Sequence, residues 1–197
     1  HYDIAKVLFE LYKNDLRCIS LDGKNNWYEF SSHKWVLGSI KLRQHISENL
    51  TKHYNNIKKE YQKNVYVILD ASKKETMISG LIKKLKTTSF KNNIMSECCE
   101  IFCAHNQGFV NKLDENKNLI CFENGVFELE NNIFRDGKPE DNLSISTGYD
   151  YISEYSNDKQ DLLDFMESIQ PNKEERDYLL KFIASCFHGD NPEELFH

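Results

Sequence analysis

Proline and glycine are scarce in this sequence: three and eight residues out of 197. That scarcity excludes a collagen-like repeat and a linker-type chain. No run approaches the roughly 18 apolar residues that a membrane span needs. The amino-terminal stretch HYDIAKVLFELYKND has no basic region and no small-residue cleavage site, so it reads as an amphipathic helix and not as a secretion signal. It has no initiator Met, and the chain reads as cut from a longer protein. Glycine loops of the types G-x-x-x-x-G-K-[ST] and G-x-G-x-x-G are missing, as are G-x-S-x-G and H-E-x-x-H. These gaps remove nucleotide-binding loops, serine hydrolase elbows and zinc peptidase helices from consideration.

What is present argues for a folded chain. Twelve Phe, ten Tyr and two Trp are far too many aromatics for disorder. The six cysteines follow no disulfide scaffold, and Cys98 and Cys99 are adjacent. A reducing compartment fits them best. Cys121 and Cys186 sit in apolar runs and are expected to act as small hydrophobes. Cys98, Cys99, Cys103 and His105 are the best metal candidates, since Cys99 and Cys103 stand four apart on one helical face. The C-x-x-C spacing of a closed zinc site is missing, so buried thiols are the preferred reading and no metal site is assigned.

The net charge of −6 is unevenly spread. Residues 34–91 hold thirteen Lys and Arg against four acids, a net of +9, whereas residues 92–197 carry −14. Such segregation fits a side that faces a polyanion, or else a solvated helix face.

Periodicity divides the chain into elements. A helix is expected over 2–13, with Ile4, Leu8, Leu11 and Tyr12 on one face. Leu16–Leu21 and Asn26–Phe30 flank Asp22-Gly23, a hairpin signal. Residues 40–63 form the clearest helix. Ile46, Leu50, Tyr54, Ile57 and Tyr61 make its apolar stripe, and Lys41, Lys52, Lys59 and Lys63 project from the other side. Residues 65–69 are a short strand or a buried helical segment. Further helices are expected over 73–87, with Met77, Leu81 and Leu85 on one side, and over 92–104. From about Gly108 the period changes. Leu119–Phe122, Val126–Leu129 and Leu143–Ser146 read as strands, with Asn124-Gly125 and Asp136-Gly137 as turns. A helix then runs from Asn157 or Asp158 to about Ser168. Asn172 and Glu175 form a capping box for the last helix, which ends near Gly189 and buries Leu179, Leu180, Phe182, Ile183 and Phe187. The fold class is α+β. It is mainly helical, with an amino-terminal aromatic β-hairpin and a small antiparallel β unit. The parts run 1–108, 109–155 and 156–197, within one compact domain.

No catalytic constellation emerges. Glu128 and Glu130 read as solvated acids, and His188 as a helix-end residue rather than a catalyst. The aromatics Trp27, Tyr28 and Trp35 suit base stacking in principle, but hairpin aromatics are more often core. The remaining lead is the set Lys52, Lys59, Lys63, Lys83, Lys84 and Lys86, which would contact DNA phosphates without reading sequence.

Three stretches carry a resemblance. They are WYEFSSHKW at 27–35, LICFENGVFELENNIFRDGKPEDNLSISTGYDY at 119–151, and RDYLLKFIASCFHGDNPEELFH at 176–197. Together they resemble the domain amino-terminal to the superfamily 3 helicase in poxvirus-like and giant-virus primase–helicases. The resemblance implies an accessory domain, a collar or DNA guide, ahead of an ATPase motor that works in viral DNA replication as a hexameric ring. It implies no catalytic residue and no cofactor in this chain, with ATP and Mg belonging to the parent helicase. DNA and neighbouring subunits are the implied partners, with no membrane, in a viral factory of the host cytoplasm or in the nucleus. The competing readings are a protein-interaction module that never touches DNA and an autonomous metal-dependent nuclease.

Overall fold

The computed structural model describes all residues except 22, 39, 65–69, 154–157 and 189–197. The chain is α+β and divides into two units, one of residues 1–31 and 35–110, the other of 32–34 and 111–197.

The first unit is built on a helical core with a small sheet. Helix α1 (Tyr2–Tyr12) packs along α5 (Thr88–His105). Ile4, Ala5 and Leu8 of α1 share a core with Ile94, Cys98 and Phe102 of α5. Leu11, expected on the same face, is exposed. Strands β1 (Leu16–Leu21), β2 (Lys24–Ser31) and β3 (Lys34–Leu37) form an antiparallel hairpin extended by a third neighbour. Leu16 pairs with Glu29 and Leu21 with Lys24, which leaves a two-residue turn. Gly23 takes φ +73° there, a conformation glycine reaches without steric cost. Asp22 of that turn lies outside the described residues. Along β1 the pleat alternates, so Leu16 and Cys18 point inward while Arg17 does not. Each fully buried Leu, Ile or Phe of this core contributes about 1.5–3 kcal/mol.

The expected helix over 40–63 is continuous but not uniform. It runs as α2 (Ile40–His45), a π-helical stretch at Ile46–Leu50, and α3 (Thr51–Lys63). Nothing in the apolar spacing signals the π turn. Helix α4 (Ala71–Leu85) packs beside α3. Leu85 is buried and Leu81 half-buried, but Met77 is 67% exposed and not part of the face it was expected to share. Residues 65–69 lie outside the described set.

The second unit is centred on a meander of β4 (Leu119–Phe122), β5 (Gly125–Glu128) and β6 (Ile133–Arg135). Phe122 pairs with Gly125, so the turn is Glu123-Asn124 and Gly125 opens a strand. This glycine is there for room. A Cβ on it would lie 2.5 Å from the Phe134 ring and 2.8 Å from the Arg135 carbonyl. The alternation at Leu143–Ser146 does not become a strand. The Ser144 and Ile145 N–H groups donate to the Asp114 carboxylate instead, at 2.7 and 3.2 Å, while Leu143 fills the core beside Cys121 and Val126. Ile133–Arg135 supplies the third strand.

The block from Arg135 to Gly148 is held by side chains. The Arg135 guanidinium donates two hydrogen bonds to Asp141, both 2.8 Å, and a longer one to Glu128 at 3.4 Å. Asp141 also accepts from the Lys138 N–H. Pro139 begins the short 3-10 turn Pro139–Asp141, where a missing N–H costs nothing. Gly137 donates its N–H to His33 Nδ1, and a Cβ there would stand 2.7 Å from the His33 backbone. Lys34 pairs with Glu123 at 2.9 Å, and Ser146 donates to the same carboxylate.

These contacts have an acid limit. Burial pushes the Asp141 carboxyl up, but the Arg135 guanidinium and the Lys138 N–H outweigh it and leave it below its ordinary range. The Ser146 hydroxyl and Lys34 do the same for Glu123. A carboxyl held low in the fold stabilises above its unfolded pKa, about 4, and loses that contribution as pH falls through the folded value. Thermal melts are therefore expected to drop below about pH 4, and Asp141→Asn should flatten that drop. An unchanged acid limb in the variant would refute the assignment.

Helices α6 (Asp158–Ile169) and α7 (Lys173–Ser185) pack on one another. Asn172 caps α7 as expected, accepting from the Glu174 N–H. The reciprocal half of the capping box is absent, because the Asn172 N–H donates to Gln170 and Glu175 bonds side chains instead. The expected burial of α7 is also corrected. Leu179, Leu180 and Phe182 are half-buried, Ile183 is exposed, and Phe187, just beyond the helix, is 61% exposed. Cys186, expected to be a buried hydrophobe, is exposed. The α6 cap at Asn157 and the stop at Gly189 fall outside the described residues. Among the described residues no helix is long and apolar enough to cross a membrane.

Candidate nucleic-acid interface

The lysines read from the sequence are exposed. Lys52, Lys59 and Lys63 lie on α3, separated by seven and four residues, which returns them to one side of a helix of 3.6 residues per turn. They span about 16 Å along its axis at 1.5 Å per residue. The opposite side is anchored. Ile46 and Leu50 are fully buried just upstream, and Tyr54, Ile57 and Tyr61 are half-buried. Burial, helped by Asp3, raises the Tyr54 phenol above its ordinary range.

Lys83 and Lys84 occupy the last turn of α4, and Lys86 is its cap residue. Cations there also complement the negative end of the helix dipole. Among the described residues, none of these six lysines makes an ion pair. Two neighbours do, Lys58 with Glu75 and Lys41 with Glu29, and Lys91 donates a hydrogen bond to the Ser47 hydroxyl. Lys41, grouped with the polar face in the sequence, is thereby committed within the fold.

The hairpin aromatics are structural. Trp35 is 1% exposed and meets Phe30 and Phe109 edge-on, with the Arg17 guanidinium 4.8 Å from its ring centre. Trp27 is buried against Phe102. Both rings are spent on the core, so stacking on bases by either is excluded. Tyr28, half-buried, packs edge-on against Phe109.

The thiols are rearranged relative to their spacing. Cys98 points into the core, and burial pushes its thiol up to about 12. Cys103 meets Cys18 of β1, sulfur to sulfur at 3.3 Å, and Cys99 packs against the same core. His105 lies against the Phe9 ring with Nδ1 at 2.8 Å from the Ile101 carbonyl. Among the described residues no group of three or more His, Cys, Asp or Glu side chains is arranged to hold a metal ion. Glu128 is tied to Arg135 and Asn131, while Glu130 is exposed.

The sequence that builds this fold places the chain in a family. Residues 5–188 match the family described as D5 N terminal like, and the chain belongs to it. A protein of Acanthamoeba polyphaga mimivirus named "Putative helicase" is 40% identical over 207 residues, covering 100% of this chain and 21% of its own length. A protein of Invertebrate iridescent virus 3 with the same description is 25% identical over 229 residues, covering 98% of this chain and 23% of itself. One from Frog virus 3 is 34% identical over 87 residues, or 43% of this chain. The chain thus spans about a fifth of the length of the first two relatives, and it is a domain shared with large-DNA-virus proteins named as helicases.

Proposed function

We propose that this chain is an accessory domain that guides DNA and joins subunits ahead of the ATPase motor of a viral primase–helicase. The observation that carries the reading is the row Lys52, Lys59 and Lys63, exposed, in register on one helix face and without an ion pair among the described residues. Ammonium groups so placed attract a phosphate backbone as point charges and carry no sequence information. Lys83, Lys84 and Lys86 extend the basic surface. ATP and Mg would act in the motor of the parent protein. Gel-shift titration with single- and double-stranded DNA at graded salt tests the reading. Weak, salt-steep, sequence-independent binding supports it, and no binding at low salt overturns it.

A second observation favours subunit contact. Leu162, Phe165, Ile169 and Tyr178 of α6 and α7 are all more than half exposed, together with Phe187 beyond α7. Apolar surface of this kind marks an interaction face. In the proposed assembly it meets the remainder of the parent polypeptide or a neighbouring subunit. The acidic half repels DNA and leaves the contact to α3 and α4.

The isolated chain is expected to hydrolyse no ATP, because it has no glycine loop to hold the phosphates. Phosphate release by the purified chain should match the buffer blank. Turnover that a point substitution abolishes would overturn this.

A further inference from the structure

Two sulfurs from distant parts of the first unit touch. Cys18 lies in β1 and Cys103 near the end of α5, 85 residues further on, and Cys103 Sγ stands 3.3 Å from Cys18 Sγ. The contact sits where β1 packs on α5, against the core that Leu16, Trp27 and Phe102 also fill. Cys18 is fully buried and Cys103 half-buried, so of the two residues Cys103 is the one that reaches solvent. The other thiols have different surroundings. Cys121 Sγ and Cys186 Sγ face backbone carbonyls, and Cys98 is fully buried within the core. A disulfide needs about 2.0 Å between its sulfurs, so the pair has about 1.3 Å to close. Small rotations of the two side chains cover a distance of that size and leave both backbones in place.

We propose that Cys18 and Cys103 form an oxidation site, in which a peroxide-class oxidant converts Cys103 to a sulfenic acid and Cys18 then closes a disulfide onto it, tying β1 to α5. In the first step a lone pair of the Cys103 sulfur attacks one peroxide oxygen. The O–O bond breaks, Cys103 becomes S–OH, and hydroxide leaves as water with the Cys103 proton. In the second step Cys18 sulfur attacks Cys103 sulfur. The S–O bond breaks, and the hydroxyl departs as water with the Cys18 proton. Two thiols lose two electrons and the peroxide gains them.

Access sets the order of the two steps. An oxidant arriving from solvent meets Cys103, and the buried Cys18 acts as the resolving thiol because it is already in contact with the oxidised sulfur. In a reducing compartment a bond of this kind forms transiently, under oxidant, and reverts when reductant prevails. It closes a loop that contains α2, α3 and α4, and so restricts the unfolded chain around the helix that bears Lys52, Lys59 and Lys63.

The test exposes the 197-residue chain to hydrogen peroxide, alkylates the remaining thiols, and maps the product by mass spectrometry after digestion with trypsin and a glutamate-specific protease, without reductant. Cleavage at Arg17 and Lys24 releases Cys18 in the peptide 18–24. Cleavage at Glu97, Glu100 and Lys112 separates Cys98 and Cys99, in the peptide 98–100, from Cys103 in the peptide 101–112. The expected product joins 18–24 to 101–112 and reverts with dithiothreitol. Cys103→Ser should slow the oxidation of Cys18 at least about tenfold, since it removes the sulfur that the oxidant reaches. A wild-type map in which Cys18 stays free, or is joined to 98–100, would overturn the proposal, and so would a Cys18 that oxidises as fast in Cys103→Ser. The wild-type map alone decides the first two of these, whatever the variant does to folding.

Discussion

If the proposed function holds, replacing Lys52, Lys59 and Lys63 together with Glu weakens DNA binding by the parent protein steeply at low salt. It should also lower the log–log salt slope by about 3, because each phosphate contact contributes about 0.9. The fold should survive, since all three side chains are exposed and Ile46, Leu50, Tyr54 and Ile57 anchor the other side of the same helix. Charge reversal adds repulsion to the lost attraction, so the affinity change should exceed that of the matching Gln triple. Binding by the Gln variant should still depend on salt through Lys83, Lys84 and Lys86. Gel shift or fluorescence anisotropy at several salt concentrations reads both quantities. A Glu triple that binds and unwinds like the wild type would reduce these lysines to a solvated face, and the domain to a structural collar.

The second large effect concerns Arg135→Ala. The Asp141 side chain is only 9% exposed and takes two hydrogen bonds from that guanidinium. Truncation strands its carboxylate with the Lys138 N–H as the partner left to it, and also releases Glu128. Removing one member of a buried pair costs about 3–5 kcal/mol, and the partial exposure of Arg135 brings this nearer about 2–3 kcal/mol. Both tryptophans lie in the first unit, so their fluorescence reads that unit. The expected result is an earlier transition by circular dichroism with little change in the tryptophan signal. Coincident shifts in both signals would mean that the units melt together.

Much of the fold was legible because local patterns and burial agree. The stripe from Ile46 to Tyr61 is where a helix faces a core, and hydrophobic spacing records that directly. The turn before Gly23 was legible for the same kind of reason, since a two-residue hairpin demands residues that tolerate positive φ. The π turn at Ile46–Leu50 was not, because one extra residue in a helical turn leaves no compositional mark. Leu143–Ser146 misled because alternation predicts Leu143 and Ile145 on one buried face, whereas Leu143 is buried, Ile145 is exposed, and the pattern does not say which acceptor the N–H groups find. That acceptor, Asp114, lies thirty residues away. The apolar face of α7 was visible as helical spacing, but spacing cannot say whether the covering surface belongs to the same chain. For the candidate site, exposure of the lysines was legible and their lack of ion pairs among the described residues was not, since Lys41 and Lys58 look alike in sequence and are paired. Cys18 was missed as a thiol partner because 85 residues separate it from Cys103.

The second unit contains residues 32–34 as well as 111–197, so it is discontinuous in sequence. During synthesis His33 leaves the ribosome long before Gly137, 104 residues later, is available to donate to it. The unit cannot complete itself by local closure, and the loop entropy of that wait falls on its folding rate. A single cut after Val110 would not isolate it. The carboxy-terminal piece would lack the ring that receives the Gly137 N–H and the ammonium beside Glu123. Domain boundaries for expression or grafting must therefore carry the β2–β3 turn along with the meander it completes.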